Sequence, residues 1–252
     1  MKYFLLLASL ASIILAAPTP PAGTFEWTPT LAGYFDIVFQ YIQRAKAAGT
    51  PSSRCDLSRA AMPIAPTPLP NPSGLTLEHV AVGRGVQNYT CANPTATPAA
   101  VGAVARFYNS SCVAADYPDL LALLPTLALQ YPLPTDPDAP LEPSDLTLSV
   151  HHYFSNSTTP VFAFDAPTSP DLGKVFAQKE ESSLAPSNAV AGVDGVGNGA
   201  VDWLYLTSRS TTVGDIKAVY RLNTAGGSPP ATCADQPSAF SVEYAALYWF
   251  YK

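Results

Sequence analysis

The stretch HVAVGRGVQNYTC, residues 79–91, decides how the chain is read. An apolar run from His79 to Val82 leads into Gly83-Arg84-Gly85, which suits either a phosphate-gripping loop or one strand of a β domain. A dinucleotide loop needs three glycines so that backbone N–H groups can approach a pyrophosphate, and then a helix whose positive end points there. Here the third glycine position holds Asn88, and the residues around it, Val86 to Cys91, are β-prone until Pro94 breaks the run. On a strand, Val86, Asn88 and Thr90 share one face, and Gln87, Tyr89 and Cys91 share the other. Asn88-Tyr89-Thr90 is an acceptor for N-linked sugar, so this reading puts the sugar outward and the cysteine inward. Gly83 and Gly85 then read as a bulge or a close strand crossing. A second glycine-rich stretch, GVDGVGNGAVDWL at residues 192–204, precedes a strand rather than a helix and reads as a loop.

The chain opens MKYFLLLASLASIILAAPTPPAG. Lys2 supplies a short positive region, Phe4 to Leu15 an apolar run too short for a bilayer, and Ala16-Ala17 the small residues of a cleavage site. Residues 1–16 therefore read as a secretory signal peptide, which predicts a secreted, extracellular protein. Asn88, Asn109 and Asn156 each start an Asn-X-Ser/Thr acceptor, as a glycoprotein would carry. The four cysteines, Cys55, Cys91, Cys112 and Cys233, lack the close pairs of a zinc site. An even count in an exported chain predicts two disulfides, with three connectivities open. The formal charge is −6, charged residues are 13% of the chain, and no basic stripe is present. That composition excludes nucleic acid as an expected partner and gives no attraction to anionic membranes.

Residues 17–50 read as a proline-rich leader and a helix. Thr28 offers an N-cap, Pro29 suits the first helical position, and Leu31, Phe35, Val38, Ile42 and Ala45 recur on one face. Ile37, Phe39 and Tyr41 on the other side predict a helix covered on more than one face, stopped by Gly49 and Pro51. Residues 51–252 read as a single disulfide-bonded, β-rich domain. Its first part, to Ser73, is crowded with proline and excludes regular helix. Asp116 to Leu124 reads as a short helix ended by Pro125, with a strand from Leu127 to Tyr131. In the next strand, Leu146, Leu148, Val150, His152 and Phe154 fall on one face and Thr147, Ser149, His151 and Tyr153 on the other. Further strands are predicted at Pro160–Phe164, Ala200–Leu206, Ile216–Leu222 and Ser241–Tyr251. Ser182–Gly199 reads as a loop and Glu180-Glu181 as a solvated turn. Strands without regularly alternating helices predict a mainly β fold. The expected form is a β-sandwich or barrel-like domain with an N-terminal helix and long proline-rich loops.

The runs VAVGRGVQNYTC, VHHYF, VDWLYL, RLNTAGGSPPATC and VEYAALYWFY occur in that order. Together they resemble a fungal secreted family catalogued as domain of unknown function 3455, over roughly Cys55 to Lys252. Many fungal members of that family carry the label malate dehydrogenase. The residues here do not support it: there is no fingerprint loop, no βαβ alternation, and no nicotinamide pool outside a cell. Bacterial members share the cysteines matching Cys91 and Cys233 but not those matching Cys55 and Cys112. The resemblance therefore implies the pairs Cys91–Cys233 and Cys55–Cys112, each closing a long loop worth about 4 kcal/mol in the chain-entropy model.

The catalytic candidates are His152, Asp165 and Asp202. His152 sits on the apolar phase of its strand, as a hydrogen-bonded core histidine or a general base lining a pocket would. Asp202 stands beside Trp203, and a carboxylate next to an aromatic platform suits sugar binding. No G-x-S-x-G elbow occurs. His79, His152 and Asp165 could hold a metal only by converging in the fold; the expectation is no metal and no cofactor. Gly226-Gly227 permits positive φ, and Pro229-Pro230 stiffens the exit towards Cys233. These features predict a non-catalytic secreted glycoprotein that binds a cell-wall glycan or a host protein in an effector-like role. A cofactor-free extracellular hydrolase using His152 with Asp165 or Asp202 is the alternative, and the malate dehydrogenase of the family label a weaker third.

Overall fold

The computed structural model describes residues 28–48, 55–136 and 138–252. The expected signal peptide, the leader up to residue 27, and the helix-stopping Gly49 and Pro51 lie outside the described residues. Helix α1 (Pro29–Ala48) comes first. Strands β1 (Leu77–Thr90) and β2 (Ala99–Asn109) come next, then helices α2 (Ser111–Asp116) and α3 (Pro118–Gln130). The rest is β3 (Leu148–Asn156), β4 (Thr159–Ala163), β5 (Lys174–Ser183), β6 (Trp203–Ser208), β7 (Ala218–Gly226) and β8 (Ala239–Tyr251). The strands form a closed antiparallel barrel in which each pairs with its chain neighbours and β8 closes onto β1. Closure removes every sheet edge. Eight strands leave an interior that side chains can just fill or that holds one small ligand.

The wall made by β7, β8 and β1 is buried on both faces. In β8, Tyr244, Ala246, Tyr248 and Phe250 fill the barrel, while Ala245, Leu247, Trp249 and Tyr251 pack beneath the helices and the proline-rich segment. That double burial is why VEYAALYWFY is a nearly continuous apolar run rather than an alternation. The helix layer is anchored by α3, whose Leu120, Leu121, Leu124, Leu127 and Ala128 are all buried. Pro125 lies inside α3 and does not end it, so the expected strand at Leu127–Tyr131 is instead the last turns of this helix. The leucines before and after Pro125 fall on one helical stripe, and burying that stripe outweighs the backbone bond that proline removes.

Arg84 explains the opening stretch. It points outward from β1, is 2% exposed, and caps the end of α3: Nε donates to the Ala128 carbonyl at 2.9 Å and Nη2 to the Tyr131 carbonyl at 3.0 Å. A cation there satisfies the free carbonyls and the negative end of the helix dipole. Nη2 also pairs with Glu243. The flanking glycines point into the barrel. A Cβ on Gly83 would lie 2.7 Å from the Tyr248 ring and 2.8 Å from that of Phe107; one on Gly85 would lie 2.1 Å from the Val104 carbonyl. The pairing of β1 is regular there, with register shifts only between Leu77 and His79 and between Asn88 and Tyr89, so close approach rather than a bulge is what these glycines serve.

Several local expectations change. In α1 the Thr28 hydroxyl accepts from Leu31 N as an N-cap should, at 3.2 Å, and Leu31 and Val38 of the expected face pack together with Tyr34 and Ile37, while the side chains of Ile42 and Ala45 lie outside the described ones. Phe35 and Phe39 are 42% and 58% exposed, so the helix is not covered on all sides. Strand β5 runs through Glu180-Glu181, which are exposed strand residues rather than a turn, and ends at Ser183 inside the stretch read as loop. In β3, Leu148 pairs with Tyr108 and Val150 with Phe107, leaving Ser149 as an extra residue. This bulge resets the alternation. Leu148 packs outside with the helices, whereas Val150 faces the interior cluster that His152 and Phe154 also join.

Each end of the barrel carries one disulfide. Cys91–Cys233 joins the β1–β2 turn to the β7–β8 loop, and Cys55–Cys112 ties the proline-rich segment to α2 at the opposite end. Among the described residues no helix is long and apolar enough to cross a membrane.

Candidate functional site

The barrel interior has a packed part and an open part. The packed part is built from rings. Phe107 and Tyr248 stack with centroids 4.0 Å apart, and Phe162 and Phe164 meet Phe250 edge-on at 5.5 and 5.1 Å. Beyond this floor the end that carries Cys91–Cys233 holds an open cavity of about 390 Å³. Its walls are largely apolar, from Ala103, Phe154, Pro160, Val201, Leu204 and Leu206. Polar groups come from Gln87, Tyr89, His152 and Arg221, with Lys179, Ser157 and Asp202 also lining it. A mostly apolar cavity with few convergent polar groups is the usual form of a small-molecule site, for which roughly 300–1,000 Å³ is typical.

His152 is 5% exposed and stacked on Phe162 at 4.6 Å. Its Nδ1 lies 2.9 Å from the Val161 carbonyl, which can only accept, so Nδ1 carries the proton. Nε2 is then the acceptor, and it has no protein partner among the described residues. Burial, with a smaller contribution from the Arg221 charge, lowers the ring to about 4 despite the opposing bond to Val161, so it is neutral at physiological pH. Arg221 faces the cavity from β7, opposite Tyr248 on β8. Nε and Nη2 both donate to the backbone carbonyl of Asp202, at 3.1 and 2.8 Å. No carboxylate of the described residues forms an ion pair with it. Gln87 is 9% exposed, and its Nε2 is a buried donor with the Tyr244 hydroxyl nearby but no well-formed hydrogen bond among the described residues. The Tyr244 and Tyr248 hydroxyls meet at 3.0 Å, and burial pushes both above their usual range. Tyr89 donates to the Gly227 carbonyl at 2.8 Å, and burial pushes it up to about 12 against the Arg221 charge.

The structure brings two of the three candidate residues to one place. His152 and Asp202 line the cavity; Asp165 does not. Asp165 is exposed on the outside, where its carboxylate sits 2.7 Å from Nδ1 of His151, the histidine that points away from the barrel interior. The aromatic neighbour of Asp202 is also elsewhere: Trp203 is buried in the outer core against the helices and offers no platform to the cavity. His79 is held at the other end of the barrel. Its Nε2 meets Ser149 at 3.0 Å and its Nδ1 meets Ser111 at 3.2 Å, so both ring nitrogens are satisfied. His79, His152 and Asp165 therefore do not converge, and among the described residues no group of three such side chains is placed to hold a metal.

Sequence reasoning missed Gln87, Tyr248 and Arg221. Arg221 did leave a signal: in KAVYRLNT it sits on the inward phase of Val219, flanked by Tyr220 and Leu222. Its charge only becomes notable once closure shows that this phase faces a cavity.

Fold and site define a closed eight-stranded antiparallel barrel with one packed end and one open, lined end. Residues 72–252, the whole barrel, match the family model described as Protein of unknown function (DUF3455), and the chain belongs to that family. Residues 8–70 match a second, Protein of unknown function (DUF2990), so the two meet within the proline-rich segment. No curated protein and no solved structure gives a significant match.

Proposed function

We propose that this chain is an exported, non-catalytic binding protein whose barrel mouth holds a small, largely apolar molecule. The observation that carries the reading is the cavity: about 390 Å³, apolar-walled, open at one end and floored by stacked rings. An end-on pocket suits a compact molecule better than a wall polymer, which needs a groove that a chain can cross. A wall glycan could present only a terminal unit, and a host protein only a side chain. The export signal in the sequence, the two disulfides and three sugar acceptors support action outside the cell. Asn156 lies exposed beside Ser157 and Thr158 at the cavity. A sugar there would stand at the mouth and keep it in water.

The test is titration of the secreted protein with the neutral apolar dye Nile red. Saturable uptake of one dye per chain is expected, and Ala103→Trp, which fills the cavity from a buried wall position, should abolish it with the circular dichroism spectrum retained. Dye binding untouched by that substitution, or no saturable binding, would overturn the reading. The free Nε2 of His152 is the one feature that favours a hydrolase instead. A turnover measured on ester or glycoside substrates and lost in a folded His152→Gln variant would replace binding with catalysis.

A further inference from the structure

The donors lining the cavity have a common unmet need. Most of the chain's other described arginines are occupied at the surface or beneath the helices: Arg59 pairs with Asp116, Arg84 with Glu243, and Arg106 donates to the Pro134 and Asp136 carbonyls. Among the described residues Arg221 is the arginine that faces the barrel interior, in a chain of net charge −6, and it has no ion-pair partner among them. A half-buried cation without a counter-ion is costly to keep. Arg221 spends Nε and Nη2 on one backbone carbonyl, which fixes the guanidinium and leaves its remaining N–H groups with the Tyr248 hydroxyl beside them and no carboxylate. Independently, the Gln87 amide is nine-tenths buried, and its Nε2 has the Tyr244 hydroxyl nearby but makes no well-formed hydrogen bond among the described residues. Both line the same cavity. An orphaned buried donor is rare in folded proteins and calls for an explanation, such as an absent ligand acceptor.

Charges around the cavity agree. Arg221 and Lys179 are cationic, Asp202 is anionic, and His152 is neutral, so the lining carries one more positive than negative group. The apolar walls and the ring floor carry no second guanidinium, and the other cation, Lys179, is exposed at the rim and offset by Asp202, which leaves one net positive charge for the ligand. We propose that the barrel mouth selects an organic monocarboxylate with an apolar body, its carboxylate bound by Arg221 and the Gln87 amide and its body laid against Phe154, Leu204 and Leu206. A planar carboxylate matches the fork of a fixed guanidinium. The neutral Nε2 of His152 adds an acceptor suited to a ligand hydroxyl. This inference rests on the cavity reading above and narrows it to one ligand class.

The experiment is displacement of Nile red from the full secreted chain by decanoate, decanol and decylamine at neutral pH. Decanoate should displace dye about tenfold to a hundredfold more tightly than decanol, the range a charge-assisted hydrogen bond supplies. Decylamine should be weakest. Arg221→Met should bring decanoate to the level of decanol, and Gln87→Leu should reduce the preference in part. Dye binding with decanol equal to or better than decanoate in the wild-type protein would overturn the anion assignment and leave the cavity standing. Absence of saturable dye binding would overturn both. The wild-type preference is read without any variant, so misfolding of Arg221→Met could not hide the result.

Discussion

The two ends of the barrel hold two histidines that look alike by burial and differ in every other respect. His79 is 2% and His152 5% exposed, and burial lowers each to about 4. His79 is enclosed by Phe164 and Phe250 and meets a serine hydroxyl at each nitrogen. His152 spends one nitrogen on a backbone carbonyl and presents the other to an open cavity. Burial alone therefore does not mark a functional group; an unmet hydrogen-bonding position facing empty space does. The same contrast separates Arg84 from Arg221. One is consumed by a helix end and a glutamate, and the other is fixed but has no counter-ion among the described residues. Each end also has its own disulfide, so the packed end and the mouth are stapled independently.

If the ends differ as described, truncating the ring floor should cost far more than truncating the mouth. Phe107 is wholly buried, and Phe107→Ala should lower unfolding free energy by about 3–5 kcal/mol in urea titrations. Phe154, half-exposed at the cavity, should cost about 1 kcal/mol as alanine, because its removal enlarges an existing opening rather than creating a void. Equal losses would erase the distinction.

Acid should then act at both ends. Each histidine is neutral in the fold and titrates near 6.5 once unfolded, so the unfolded chain takes up protons first as pH falls. The stability due to these rings is whole above about pH 6.5 and is lost progressively down to about pH 4, at about 3 kcal/mol for each ring. Urea midpoints measured across that window should fall steeply. His79→Gln and His152→Gln should each remove about half of the histidine-dependent slope. A slope unchanged in the His152 variant would mean that this ring is hydrated through the mouth.

The smallest difference concerns added volume. Gly83→Ala would push a methyl into the Phe107 and Tyr248 rings and should cost about 1–3 kcal/mol. Ala103→Val, at the cavity wall, should be nearly neutral in the same assay because its side chain meets open space.

How much of this was legible depended on range. The strand reading of His79–Cys91, the inward phase of His152 and the run of β8 came from side-chain alternation, a local property. Strand β5, KVFAQKEESS, escaped because only Val175 and Ala177 mark its inner phase while its later residues are solvated. The Leu127–Tyr131 segment was misread because proline weakens a helix locally, whereas the leucine stripe of α3 is stabilised by partners far away in the chain. Asp165 was named with His152 only as a carboxylate that could reach it; it lies just past the end of β4. There it is exposed and meets His151, the neighbour of His152 on the opposite phase of β3.

The amino-acid order by itself determined which residues favour strands, which positions alternate, and the absence of a phosphate-binding glycine pattern. Only the tertiary structure decided that the strands close into a ring, that one end fills with phenylalanines, and that Gln87 and Arg221 are left facing a space. The reason is physical: strand preference arises between near neighbours, whereas a cavity and an unpaired charge exist only once segments more than a hundred residues apart, β1 and β8, meet and shut the barrel.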